Sequence, residues 1–193
     1  MILVGLSGKI GTGKTVAANR LVGLGYRRRA YGDALKEEVA AACGIPLEQC
    51  YTAEGKALVL EVPFALREFL PSPATLREVL QCWGTEHRRK QDPDYWVQAL
   101  RSWLGRQEPG GRVVVDDIRF PNEAELIHEF EGLLVRLEPF EGWLAGLHGA
   151  HVSETALDDY LRWHRVIRPR YGQIDRVAEQ IAELARLKAL CAR

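Results

Sequence analysis

Gly8-Lys9-Ile10-Gly11-Thr12-Gly13-Lys14-Thr15 fits the phosphate-loop pattern G-x-x-x-x-G-K-[ST] at every fixed position. Each residue type has a task in that pattern. Gly8, Gly11 and Gly13 permit backbone angles and a close approach that a Cβ would obstruct. Successive loop N–H groups, that of Thr12 among them, can then point at one anion, helped by the positive end of the helix that follows. Lys14 brings a mobile charge to the β- and γ-phosphates of a bound triphosphate such as ATP, and the Thr15 hydroxyl is placed to bind Mg²⁺.

A second chemical string is Arg112-Val113-Val114-Val115-Asp116-Asp117. An apolar run ending in aspartate is the Walker-B form, which carries a carboxylate toward Mg²⁺ from a strand's carboxyl end. Asp116 and Asp117 point to opposite sides of the strand, so one of them serves the metal and the pattern leaves open which. Arg119 follows, close enough to the phosphates to matter. Asp33 falls where a strand gives way to a helix, the place where ligand groups gather in open parallel sheets; it can equally cap that helix. Arg77 and Gln81 stand four apart and share a helix face. That face offers a guanidinium and an amide to one ligand, or is an ordinary exposed polar face. Arg27-Arg28-Arg29 is either a phosphate patch or, more commonly for such a run, a solvated strand edge.

The elements that position these residues follow from periodicity. Residues 2–7 are mostly apolar and read as a buried parallel strand. Val16, Ala17, Leu21 and Leu24 recur at helical spacing before Gly25, so strand, loop and helix stand in the required order. Further strands are expected over 26–31, 112–117, 133–137 and 166–167. Helices are expected over 34–43, about 62–69, from Thr75 to near Gly84, from Pro93 onward, over 122–130 and over 174–190. In the helix after Thr75, Leu76, Val79, Leu80 and Trp83 form the apolar stripe, away from Arg77 and Gln81. Pro46, Pro63, Pro71 and Pro73 punctuate the stretch after residue 44, which reads as an insertion over the sheet edge. Gly142, Gly146 and Gly149, with His151-Val152-Ser153-Glu154, suit a mobile lid over about 140–160. Five strands alternating with helices argue a three-layer α/β/α fold with a five-stranded parallel sheet. We expect one domain over 1–193, with an acceptor-binding insertion at about 44–90.

Composition narrows the partners. The chain has 193 residues, with Lys+Arg and Asp+Glu each 26, so its formal net charge is zero. That balance gives no reason to expect nucleic-acid or membrane binding. No apolar run is long enough to span a bilayer and no cleavable leader pattern opens the chain, so a cytoplasmic protein is expected. The four cysteines form no C-x-x-C pair, which argues for reduced thiols over a zinc cluster. A GTP-binding switch would need an Asn-Lys-x-Asp string, and none occurs.

The chain resembles the phage-type deoxynucleoside monophosphate kinases over nearly all of its length, thinning between 45 and 73. The resemblance rests on the phosphate loop, on Asp33-Ala34-Leu35-Lys36, and on Leu76-Arg77 with Leu80-Gln81 and Gly84-Thr85. It continues through Tyr95-Trp96-Val97, Asp117-Ile118-Arg119-Phe120-Pro121-Asn122-Glu123 and His151-Val152-Ser153-Glu154. It implies an adenylate-kinase-like core, ATP and Mg²⁺ as cofactors, a deoxynucleoside monophosphate as acceptor, and a homodimer. Carried onto matching positions, it implies that the loop residues and Lys14 hold ATP and that Arg119 contacts the phosphates; Asp33 is expected to orient or accept a proton, as the corresponding strand-end aspartate does in the similar dephospho-coenzyme A kinases, so Lys14, Asp33 and Arg119 are the expected catalytic residues. It further implies that Asp33, Lys36, Arg77 and Gln81 face the acceptor and that Asp116 or Asp117 handles Mg²⁺. Two positions depart from the family pattern: Glu138 stands where an arginine is usual, and the last strand runs into Arg168-Pro169-Arg170-Tyr171-Gly172. The alternatives in view are another small-molecule kinase of this fold, such as a dephospho-coenzyme A or phosphomevalonate kinase, and an ATP-dependent nucleic-acid-binding module.

Overall fold

The computed structural model describes residues 1–139, 155–170 and 172–191. The described chain divides into two compact units, one of residues 1–30 with 103–193 and one of residues 31–102. The string 151–154, Tyr171 and most of the expected lid lie outside the described residues.

The first unit is built on a five-stranded parallel sheet. Its strands are β1 (Ile2–Ser7), β2 (Arg27–Arg29), β5 (Arg112–Ile118), β6 (Leu133–Leu137) and β7 (Arg165–Ile167), in the order β2-β5-β1-β6-β7. Every neighbouring pair is parallel. The central strands are buried on both faces, which is why β1, β5 and β6 read as nearly unbroken apolar runs. On one face, α1 (Lys14–Gly23) and the last helix, α7 (Ile174–Cys191), bury Ala17, Ala18, Leu21, Val177, Ala178 and Ile181 against Val4, Leu6, Val114 and Val135. On the other face lies α6 (Pro121–Glu129). Gly5 is what admits it: a Cβ there would stand 2.6 Å from Ile118 Cδ1 and 2.8 Å from Ile127 Cγ1. The helices thus cover both sides of the sheet, as a three-layer α/β fold requires.

The second unit holds α2 (Tyr31–Cys43), the single-turn α3 (Ala53–Lys56), a two-stranded antiparallel ribbon of β3 (Val59–Leu60) and β4 (Ala74–Thr75), α4 (Leu76–Cys82) and most of α5 (Tyr95–Leu104). Glu38 is its polar hub. The carboxylate accepts from Trp83 Nε1 at 2.9 Å, Arg88 Nε at 2.9 Å and Tyr95 OH at 2.6 Å. Burial alone would raise the pKa of Glu38, but these donors outweigh it and hold the group ionised below the usual range.

Several boundaries differ from the sequence expectation. The second strand spans only Arg27–Arg29, and α2 starts at Tyr31, so Asp33 sits inside a first helical turn, where a carboxylate complements the dipole. Residues 62–69 form no α-helix. Proline on either side confines them to a 3₁₀ turn over Phe64–Leu66. The helix after Thr75 does not stop at Gly84 but runs on as a π-helical segment, Trp83–Arg89. Gly84 serves packing there instead, since a Cβ would lie 3.1 Å from Leu35 Cδ2.

Candidate active site

The phosphate loop bridges the carboxyl end of β1 and the first turn of α1. Its glycines adopt the conformations their residue type allows: φ is +148° at Gly8, +82° at Gly11 and +91° at Gly13. A Cβ at Gly8 would stand 2.3 Å from the Leu137 carbonyl oxygen, so the start of the loop is pressed against the end of β6. Thr12 is buried and its hydroxyl donates to the Lys9 carbonyl at 2.9 Å, closing the loop on itself. Lys14 Nζ donates to the carbonyls of Gly8 and Lys9 at 2.5 and 2.8 Å, so the ammonium lies over the loop it is expected to serve. Thr15 follows in the first turn of α1.

At the carboxyl end of β5, Asp116 and Asp117 part company. Asp116 is 4% exposed. β5 is bulged just past Val115, so its face is read from its partner: Arg28, the register partner of Val114 on the α1 side of the sheet, meets Asp116 and places it toward that same face. Arg28 donates to Asp116 Oδ2 at 2.9 Å, while Asp116 Oδ1 is buried with no hydrogen-bond partner among the described residues. Asp117 is half-buried. The arginine triplet lies on an edge strand with Arg27 and Arg28 exposed, as a solvated strand edge would be. Arg28 turns inward to Asp116, and Arg27 and Arg29 lie over the Trp103 ring at 5.3 and 5.6 Å from its centroid.

Arg119 is held by its backbone. Glu123, 2% exposed, accepts from the N–H groups of Arg119 and Phe120 at 2.8 and 3.2 Å, pinning the turn that enters α6. Arg119 lines a small cleft with Ser7, Gly8, Lys9, Arg136 and Asp158.

In the second unit, Asp33 is 6% exposed. Its Oδ1 accepts from Tyr51 OH at 2.9 Å and lies 3.5 Å from Lys36 Nζ. Lys36 Nζ also stands 4.2 Å from the centre of the Tyr51 ring. On α4 the apolar stripe is buried as expected: Leu76, Val79, Leu80 and Trp83 are at most 8% exposed, while Arg77 and Gln81 face solvent. The start of the helix is fixed by a capping box. Glu78 N donates to Thr75 Oγ1 at 3.3 Å, and Thr75 N donates to Glu78 Oε2 at 2.8 Å.

A protein of Acanthamoeba polyphaga mimivirus named "Putative deoxynucleotide monophosphate kinase" is 31% identical over 151 residues, covering 72% of this chain and 74% of that protein. The chain belongs to the deoxynucleotide monophosphate kinase family. It is a nucleotide kinase, a phosphotransferase built on the phosphate-loop fold. No protein-family model matches it. Among solved structures, TT1252 from Thermus thermophilus aligns with a TM-score of 0.54 at 17% identity over 96% of this chain and 97% of that one, a likeness of fold. Shikimate kinase from Acinetobacter baumannii, in complex with shikimate, aligns at 15% identity with a TM-score of 0.46, over 95% of this chain and 92% of that one.

The kinase has residues at its phosphate loop that its sequence did not announce. Arg136 on β6 donates through Nη1 to the Leu157 carbonyl and through Nη2 to Asp158 Oδ1 at 2.9 Å. Asp158 Oδ2 in turn lies 3.1 Å from Lys9 Nζ. Partial burial pushes the pKa of Asp158 up, but the bonds from Arg136 and Lys9 win and hold the group ionised. The available signal was an arginine in an otherwise apolar strand, near its carboxyl end. The expected arginine position after β6 holds Glu138, and it is paired with Arg168 at 2.7 Å. Arg136, two residues earlier, is the cation that β6 brings to the cleft.

Proposed function

We propose that this nucleotide kinase transfers the γ-phosphoryl group of ATP to deoxynucleoside 5′-monophosphates, yielding diphosphates. The observation that carries the reading is a phosphate loop complete in sequence and conformation, in a chain whose relative bears that substrate in its name. The acceptor's nucleophile is already a phosphate oxygen. Little base catalysis is needed, and the work is alignment and charge neutralisation. Lys14 and the loop N–H groups hold the β- and γ-phosphates, and Arg119, pinned by Glu123, meets charge at the cleft beside Gly8.

The residues present fit a divalent cation. Asp116 keeps one buried carboxylate oxygen without a hydrogen-bond partner among the described residues, on the face of the sheet that α1 covers. Thr15 and Asp116 would hold Mg²⁺, which when bound neutralises charge on the transferring phosphates. Arg28 orients Asp116 through the other oxygen. In the second unit, Arg77 suits a phosphate because it donates two parallel hydrogen bonds, and Gln81 suits a base or sugar edge because it both donates and accepts. Asp33, held by Tyr51 and beside Lys36, would serve the same acceptor.

A panel of ribo- and deoxyribonucleoside monophosphates, incubated with ATP and Mg²⁺ and read by product chromatography, tests the proposal. The expected result is diphosphate from deoxynucleoside acceptors, with ATP consumption that depends on the acceptor. ATP turnover stimulated by DNA or RNA, with no diphosphate formed, would overturn it.

A further inference from the structure

The unit of residues 31–102 gathers three cations with too little negative charge to answer them. Lys36 has one carboxylate within 4.0 Å among the described residues, that of Asp33, and shares it with the Tyr51 hydroxyl. Lys56, half-buried at the end of α3, makes no ion pair with a described carboxylate. Arg77, on the first turn of α4, makes none either. Yet the backbone brings Lys56 toward both: α3 packs against α4, which carries Arg77, and Cys50, next to the Gln49 on which Gly55 sits, donates through Sγ to the Lys36 carbonyl at 3.8 Å. Its pKa is drawn below the ordinary lysine range by burial first, then by Lys36, then by Arg77, with Cys50 pulling slightly the other way.

These cations do not hang on loose chain. The Thr52 hydroxyl accepts from Gly55 N at 2.9 Å and caps α3. Gly55 sits so tightly that a Cβ would stand 2.2 Å from the Gln49 carbonyl oxygen. Leu76 N donates to Leu58 O at 2.8 Å, tying the segment after α3 to the start of α4. Lys56 and Arg77 are thus presented by two anchored elements and Lys36 by a third. Like charges held together cost stability, and such arrangements collect where a ligand of opposite charge is received. Three cations against one carboxylate leave two positive charges. That matches a phosphate monoester, which is close to a dianion at neutral pH.

We propose that Lys36, Lys56 and Arg77 together clamp the 5′-phosphate of the acceptor as a dianion, with Lys56 as a further phosphate-binding residue of the site. The proposal rests on the reading that this unit receives the monophosphate. Lys56 binds the group that will be phosphorylated, not the ATP.

Steady-state kinetics with ATP saturating, on the best acceptor of the panel, compares wild type with Lys56→Met, Lys56→Arg and Arg77→Ala. Loss of a charge-assisted hydrogen bond predicts that Lys56→Met raises the acceptor KM by roughly 10-fold or more. The KM for ATP should not move, and Lys56→Arg should recover most of the loss. Thermal melting supplies a readout that a merely structural lysine would not give. Without ligand, Lys56→Met should melt at the same temperature as wild type or higher, because repulsion is relieved. Its melting temperature should rise less than that of wild type on adding deoxyribose 5-phosphate or the monophosphate. Inorganic phosphate alone, added in a parallel arm, tests whether the clamp takes a free anion as well as an ester.

If Arg77→Ala raises the acceptor KM while Lys56→Met leaves it unchanged, the role of Lys56 is refuted and the acceptor site stands. If both leave it unchanged while transfer continues, the acceptor reading of this unit falls. A Lys56→Met protein that melts well below wild type without ligand would make Lys56 a structural residue and overturn the inference.

Discussion

Asp116 is the residue at which charge, burial and reach meet most sharply. One oxygen is committed to Arg28 and the other is buried without a described hydrogen-bond partner. A buried carboxylate oxygen with no hydrogen-bond partner is costly, and a cation that arrives with the nucleotide would answer it. Asp116→Asn keeps the shape and removes the charge. The midpoint of Mg²⁺ activation should move to a higher concentration, and the rate at saturating Mg²⁺ should fall by about 10-fold or more. Arg28 also loses its counter-charge. Because its side chain is 33% exposed, the stability loss should be about 1–2 kcal/mol, less than for a fully buried pair. A Mg²⁺ titration beside a denaturant titration separates the two effects. An unchanged Mg²⁺ midpoint would leave Asp116 as the ion-pair partner of Arg28 and nothing more. The pairing of Asp116 with Arg28 was not legible in sequence, because Arg28 lies 88 positions away.

At the scale of elements, the turn around Asp158 is tied to both the phosphate loop and β6. Its carboxylate answers Lys9 and Arg136, two cations lining the cleft where Arg119 also stands. A carboxylate in that place competes with an arriving phosphate for the same donors. Asp158→Asn should therefore tighten ATP binding by a few-fold, on the order of the 1 kcal/mol that a partly exposed ion pair is worth, more at low salt than at high. Equilibrium titration with ATP checks this, and weaker binding would mean that Asp158 instead holds Lys9 in its working position. Which elements the sequence made legible follows from how local their causes are. β1, β5 and β6 were readable because burial on both faces leaves an unbroken apolar run. The face of α4 was readable from spacing alone, and its Thr75-to-Glu78 cap follows the S/T-x-x-E pattern. β3 and β4 are two residues each, too short for any alternation to register. Gly84 suggested a helix end because a glycine's packing against Leu35 leaves no local mark. The link from Arg136 through Asp158 to Lys9 joins three distant segments, so only the fold discloses it.

Across the whole molecule, stability should respond to acid through a histidine pair in the first unit. The rings of His128 on α6 and His164 before β7 lie 4.9 Å apart. Leu134 N donates to His164 Nδ1 at 3.0 Å, which fixes that ring as neutral. Burial first, then Lys188, His128, Arg165 and Arg162, push the pKa of His164 down to about 4. His128 is lowered as well, by burial and then Arg162, with Glu125 opposing. The folded state thus binds fewer protons than the unfolded chain below the ordinary histidine value of 6.5. This contribution is fully present above that value and is lost as pH falls toward about 4. Melting temperature should drop over that window. His164→Asn, which keeps an acceptor for Leu134 N and removes the titration, should flatten the drop; an equally steep drop would place the acid sensitivity elsewhere. The central claim is that this chain moves the ATP γ-phosphoryl group to a deoxynucleoside monophosphate at its phosphate loop. It is met most directly by following labelled γ-phosphate from ATP into the diphosphate, with wild type and Lys14→Ala side by side and the fold of each checked by its melting curve. Wild type should label the diphosphate, and the folded Lys14→Ala protein should do so about 10²-fold more slowly or worse. Near-normal labelling by folded Lys14→Ala, or no labelled diphosphate from wild type with any deoxynucleoside monophosphate, would contradict it.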